Sequence, residues 1–380
     1  MRCTQVVITG SLSAEDLRDL EKVSPQILLA FGDTCYFAKP EVLNTLHTRF
    51  PNALLIGCST AGEVSQQGVE SNTLVVSGIH FQHSTFQTAH TRLSDMADSF
   101  AAGARIGRDL AMSGLHSILI FAPGIKINGS ALIRGIQSEV GEGVNISGGL
   151  AADAGRFQET FVVHGSEVGN DLIAAIGFHS PRTRLTHGTF SGWQPFGPIR
   201  LANRVENNVL YELDGEPALV LYKRYLGKHA EALPGSALLF PFALVDRDLQ
   251  QTGVIRTILG MDEAQGSLIL AGEVAPGSYL RLMTANSDNL IDGAEAAARA
   301  VSQANAANES LALLVSCVGR KMVMHGRVDE EVEAVGSVFG ASCMLAGFYS
   351  NGEISPHLAG ADCRLHNQTM TITLLEEVDA

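Results

Sequence analysis

The feature that most restricts how this chain can fold is an internal repeat. ILLAFGD at 27–33 leads, after Pro40, into a helical stretch, PEVLNTLHTRF, and returns as ALLIGCSTAGE at 53–63. The pattern recurs as SILIFAPG at 117–124, SALIRGIQSEV from Ser130, and NISGGLAAD ending at Asp153. It recurs again as LALLVSCVGR at 311–320, VDEEVEAVGSVFG, and MLAGFYSNGEISP at 344–356. Apolar residues at three-to-four spacing in each middle segment, flanked by short β-rich runs, predict strand, helix, strand and glycine turn. One βαβ-like unit has been used three times.

Each unit continues into a further strand, NTLVVSGIHF from Asn72, NDLIAAIGFH from Asn170 and NQTMTITLLE from Asn367, so it ends in an antiparallel meander. A fourth region, from Leu238 through LILAGEV at 268–274 and SYLRLMTA at 278–285, has strands without a good helix between them and reads as hairpin-rich. ALLFPFALV from Ala237 is expected to be a buried strand. Further helices are expected at SAEDLRDL from Ser13, where Asp16 suggests a capping box, at 94–112, at 216–226 before Gly227, and at 287–308. The fold class that follows is α+β. Two related halves, 1–215 and 216–380, are built from βαβ-meander units, with stacked mixed sheets and helices outside as the arrangement to look for.

Composition narrows the function. A formal charge of -14 gives no footprint for a phosphate backbone, so nucleic acid is not an expected partner. No apolar run approaches a membrane span, and no leader is visible, so a cytoplasmic protein is expected. Six scattered cysteines with no C-x-x-C argue against a disulfide framework or a zinc site of ordinary spacing. An unpaired meander edge gives the expectation of a homodimer.

GCSTAGE at 57–63, NGSALIRGI at 128–136, GGLAAD at 148–153, ELDGEPALVLYKRYLG at 212–227, SCVGRK at 316–321 and GFYSNGEISP at 347–356 resemble the FIST family, named for F-box and intracellular signal transduction proteins. The resemblance runs in order through nearly the whole chain. It implies an N-terminal FIST domain over 1–215, a C-terminal one over 216–380, and a sensory small-ligand-binding role rather than an enzyme. The junction THGTFSGWQPFGPIRLANRVENNVLYELDG, with LPGSALLFPFAL, is similar to the nitric-oxide-sensing NosP-type branch. That likeness implies haem b, nitric oxide as the ligand, and a histidine kinase of a two-component system as the partner.

A gas-sensing haem needs an axial ligand, an apolar slot and groups for its propionates. His187 is the expected axial ligand to the haem iron, because it lies in the junction beside Gly188 and near Trp193; His179 is the alternative. Trp193, Phe190 and Phe196 are expected to line the slot, with Arg182, Arg184 and Arg200 facing carboxylates. His164 could point from a strand into a cavity, whereas His47 reads as solvent-facing on its helix and His80 and His83 as partly exposed strand residues. Each of these residues also has an ordinary structural role open to it. Two other readings stand beside haem: a sensor of a small metabolite such as an amino acid, and an enzyme using Cys58 or Cys317. The acidic turns at Glu63, Asp153 and Glu353 are expected to accept backbone N–H groups of their own turns.

Overall fold

The computed structural model describes residues 1–141, 143–301, 309–356 and 363–378. Each repeat folds as an edge strand, a helix, a lead strand, a second helix, a return strand, a hairpin and a closing strand. In the first unit these are Arg2–Ile8, Ala14–Glu21, Ile27–Gly32, Glu41–Arg49, Leu54–Ser59, the hairpin Glu63–Ser65 with Gly68–Glu70, and Leu74–His80. The second unit uses Phe86–Arg92, Ser99–Leu110, Ser117–Ala122, Gly129–Val140, Asn145–Leu150, Val162–His164 with Glu167–Gly169, and Leu172–Phe178. The third uses Thr183–Phe190, Ser287–Val301, Ser310–Cys317, Val328–Phe339, Cys343–Ser350, Gly352–Pro356 with Cys363–His366, and Met370–Glu377.

Lead and return strands pair in parallel across the second helix, and the closing strand pairs antiparallel on the lead strand's other side. The expected crossover followed by a meander is therefore present in every unit. All three lead strands are buried along their whole length, which is why they read as continuous apolar runs rather than alternating ones. Gly57, Gly148 and Gly347 occupy the same place on the three return strands. A Cβ there would lie 1.9, 1.9 and 1.8 Å from the carbonyl oxygens of Ala30, Ile120 and Leu314 on the neighbouring lead strands. Glycine at this point is a requirement of strand approach.

The units exchange hairpins. The first unit's hairpin pairs with the third unit's return strand, through Val64 opposite Gly347. The second unit's pairs with the first unit's return strand, Val162 opposite Cys58, and the third unit's with the second unit's, Ile354 opposite Gly148. Three six-stranded sheets result, each completed by a neighbour, in a closed cycle. Their inner faces share one core in which Phe31, Phe121 and Phe348, one from each unit, meet at centroid distances of 4.8 to 6.0 Å. The outer face of each sheet packs on its own helices, as separate clusters around Leu46, Ile136 and Val335. Mixed sheets with helices outside are thus confirmed.

Between the third unit's edge strand and its first helix the chain builds a fourth sheet, entirely antiparallel, over residues 194–284. This is the hairpin-rich region. Its sheet also takes the strand Gln194–Glu206, and the turn near residue 215 lies inside it, just before the helix Ala218–Leu226. Within ALLFPFALV only Phe242–Val245 is strand; the first residues form a 3-10 turn, Gly235–Leu239, because Pro241 cannot donate to a ladder. Trp193, Ile255, Met283, Leu290 and Met324 form a small core that joins the fourth sheet to the third unit.

Helix signals held with changed ends. Ser13 and Asp16 form the reciprocal capping box. The stretch 94–112 divides into a 3-10 turn, Leu93–Asp95, and a helix, Ser99–Leu110, because the Asp98 side chain accepts from Ala101 and starts the helix there. The last helix is described over Ser287–Val301; its expected continuation to 308 lies outside the described residues. Among the described residues no helix is long and apolar enough to cross a membrane.

Candidate functional site

A groove runs between the second unit and the fourth sheet. Its near wall begins with Asn128, whose side-chain oxygen caps the helix Gly129–Val140 by accepting from Ala131 at 3.0 Å. That leaves the Asn128 amide free to donate to Glu273 Oε1 at 2.7 Å. From the same helix, Arg134 donates to Glu273 Oε2 at 2.9 Å. Burial pushes the Glu273 carboxyl up, but Arg134 and Asn128 outweigh it and hold it below the usual range. One carboxylate therefore ties the fourth sheet to the second unit.

Arg256 forms the floor. It is buried, and its Nε donates to the Glu273 carbonyl while Nη1 donates to the carbonyls of Ile255 and Leu365, each at 3.1 Å. Gly272 lets the guanidinium lie flat, since a Cβ there would meet Nε at 2.9 Å. Burial, and after it the charge of Arg364, lowers the Arg256 guanidinium to about 10 despite the opposing effect of Glu273. Asn207 turns the opposite wall in a left-handed conformation, φ 56°, and its carbonyl accepts from Val274 at 3.2 Å.

The groove has two arms that share Asn207, Glu273 and Leu365. One, of about 560 Å³, is lined by Arg134, Gln137, Arg256 and Arg364. The other, of about 410 Å³, is lined by Ile125, Phe157, Leu259 and Asn351. Together they have the size of an ordinary small-molecule site.

The residues expected at the junction do not gather there. His187 is half-buried on the third unit's edge strand, its Nδ1 3.2 Å from Thr373 Oγ1 and its Nε2 enclosed without a partner. Burial lowers its imidazole to about 4. Gly188 is covered by the helix Ser287–Val301, with the Ala297 carbonyl oxygen 2.1 Å from where a Cβ would stand. Trp193 is buried in the small junction core and donates to the Gln368 carbonyl at 2.9 Å, while Phe190 is 52% exposed and Phe196 packs on Phe240. Arg184 pairs with Glu376, and Arg200 with Asp214 and Tyr225. Arg182 is half-buried at the start of the same strand, its carbonyl accepting from Val378. His179 lies elsewhere, beyond the second unit's closing strand, with both ring nitrogens enclosed.

The expected slot residues are thus spread over a strand, a buried core and the surface. The cavity bounded by Leu185 and Thr373, within the core shared by the three units, is about 10 Å³, room for one water at most. Of the other histidines, His164 stacks on His90 at 4.3 Å and burial lowers it to about 4, and His47 is half-buried with its Nδ1 enclosed rather than facing solvent.

The acidic turns reach further than expected. Asp153 accepts the backbone N–H groups of Phe157, Gln158 and Glu159. Glu63 instead accepts from the Thr60 hydroxyl and from Thr73, at the start of the closing strand, and Glu353 accepts from Ser350 and Thr369 in the same way. Cys58 and Cys317 are buried, and burial pushes both thiols up, away from thiolate reactivity.

Sequence reasoning singled out neither Arg256 nor Glu273, which sit in ordinary fourth-sheet segments. The available signal was NGSALIRGI, which carries Asn128 and Arg134 on one helix start. The chain matches the FIST N domain over residues 26–216 and the FIST C domain over residues 218–356. No curated protein matches it. A solved structure, the cyanuric acid hydrolase of A. caulinodans, aligns over 100% of this chain and 99% of that one, at 10% identity and a TM-score of 0.39, values that carry no argument about function. With both domain matches in sequence order, the first covering half of its length, the chain belongs to the FIST family.

Proposed function

We propose that this FIST protein is a sensor that binds a small metabolite in the groove between its second unit and its fourth sheet, and that it signals by binding rather than by catalysis. The observation that carries the reading is the Glu273 bridge. A carboxylate from the fourth sheet is held by Asn128 and Arg134 of the second unit at the meeting point of two sizeable cavities. A ligand filling either arm contacts both bodies and changes how one is seated on the other, which is the differential contact that a signalling response requires. The buried, raised thiols of Cys58 and Cys317 support binding over nucleophilic chemistry.

A thermal-shift screen of the full chain against a metabolite collection tests this. A compound at 100 times its Kd stabilises the folded state by about 2.7 kcal/mol. The expected result is a raised midpoint that Glu273→Ala diminishes; no midpoint shift from any compound overturns it.

The second reading is a haem-bound nitric-oxide sensor controlling a histidine kinase, and the unpartnered Nε2 of His187 is the observation that favours it. Protein expressed with haem supplement would then show a Soret band that moves with nitric oxide and is lost in His187→Ala. A colourless protein removes this reading.

A further inference from the structure

We propose that the groove takes an organic oxyanion, with a carboxylate or phosphate head at Arg256 and Arg364 and an apolar body against Phe157 and Leu259. The proposal rests on the groove being the sensor's ligand site and names the class of ligand. The chain as a whole carries a formal charge of -14, yet the two arms of the groove are lined by Lys126, Arg134, Arg256 and Arg364 against one carboxylate, Glu273, among the described residues. That carboxylate is already committed to Arg134 and Asn128.

Arg256 is 6% exposed; among the described residues it has no carboxylate partner, its three hydrogen bonds all go to backbone carbonyls from Nε and Nη1, and Nη2 donates to none. A buried guanidinium is ordinarily paired, and here the unused donor belongs to a side chain that lines the larger arm. Arg364, exposed at the rim of that arm, has no ion partner among the described residues. Two guanidinium groups with open donors match an oxyanion, and the fork of each suits carboxylate or phosphate alike. The second arm supplies the other half of the ligand. Phe157 is 45% exposed and Leu259 is 49% exposed, an unusual outlay of apolar surface for side chains facing a cavity.

Isothermal titration of the full chain with octanoate, octyl phosphate and octylamine, each below its micelle concentration, tests the charge and separates the two head groups. Octanoate or octyl phosphate is expected to bind and octylamine not. Arg364→Gln, at an exposed site where folding is not at stake, is expected to weaken binding about threefold, and Arg256→Gln about tenfold or more, with Arg256→Lys intermediate. Phe157→Ser is expected to weaken both octyl probes. Octylamine binding as tightly as the anions, failure of both anions to bind, or unchanged affinity in Arg364→Gln and Arg256→Lys overturns the proposal. A neutral or cationic metabolite found by thermal shift and lost in Glu273→Ala would leave the groove as the sensor site while overturning the oxyanion assignment.

Discussion

In the three-unit body each lead strand is buried on both faces, each return strand carries a glycine pressed against its neighbour's carbonyl, and each sheet is finished by another unit's hairpin. The fourth sheet shares none of this. Its strands are wholly antiparallel, four of its pairings shift register, and it leaves Leu249, Leu259 and Ile269 exposed. A strand whose register is fixed from both faces cannot slide, whereas a bulged antiparallel strand with one wet face accommodates small changes. The contrast assigns the two regions different work: a frame that does not adjust, and a plate seated against it at the groove, able to respond when something is bound.

The largest expected effect comes from breaking the frame. Gly347→Ala, which puts a Cβ 1.8 Å from the Leu314 carbonyl oxygen, should cost more than about 4 kcal/mol, leaving little folded protein in a denaturant titration. Gly260→Ala, in the fourth sheet, meets only the Ile269 side chain at 3.7 Å and should change stability by less than about 1 kcal/mol. Equal losses at the two sites would erase the distinction.

The seam between frame and plate should rank second. Arg320 and Glu331 form a fully buried pair; Glu331 also accepts from Ser316 and Tyr349, and Arg320 donates to the carbonyls of Ser191 and Leu290. Glu331→Ala leaves that guanidinium buried without its carboxylate and should destabilise by about 3–5 kcal/mol. Hydrogen exchange should rise first near 191 and 290, where the fourth sheet enters and leaves the body; uniform loss of protection would show the seam to be part of the frame.

A smaller, graded effect follows from Glu353. Burial is the main cause of its rise to about 8, opposed by the Ser350 hydroxyl and the Thr369 N–H. The folded state therefore keeps a proton that the unfolded chain releases above about 4.5, so stability contributed by this group falls as pH rises from about 4.5 to about 8. Urea titrations across that window should show a decline of up to about 1 kcal/mol per pH unit, flattened in Glu353→Gln. An unchanged slope in the variant would place the titration elsewhere.

Much of the frame could be read from the chain because its determinants are local: apolar spacing in the helices, β-rich runs, and the Ser13–Asp16 box all act over a few residues. The exchange of hairpins was not legible. VVH at 162–164 carries the same β-rich signature whether it pairs at home or with Cys58 in another unit. The residues expected to line one slot stand apart for a related reason. Phe190, Trp193 and Phe196 are close in sequence, but a strand and a turn send the first to solvent, the second into a core and the third against Phe240. Conversely, Asn128, the Arg256 and Glu273 of the fourth-sheet region, and Arg364 come from three segments far apart in the chain and meet only after the body has closed.

The cyclic exchange also sets a timetable for synthesis. Glu63 finds its ladder partner at Phe348, about 285 residues later, so the first hairpin must wait for most of the chain to be made. At about 5–20 residues per second that interval is roughly 15 to 60 seconds, during which the first unit's return strand also lacks the second unit's hairpin until residue 162 and beyond has emerged. The nascent protein thus passes through a long period with open strand edges, and a chain stalled before its last third would present them to whatever is nearby.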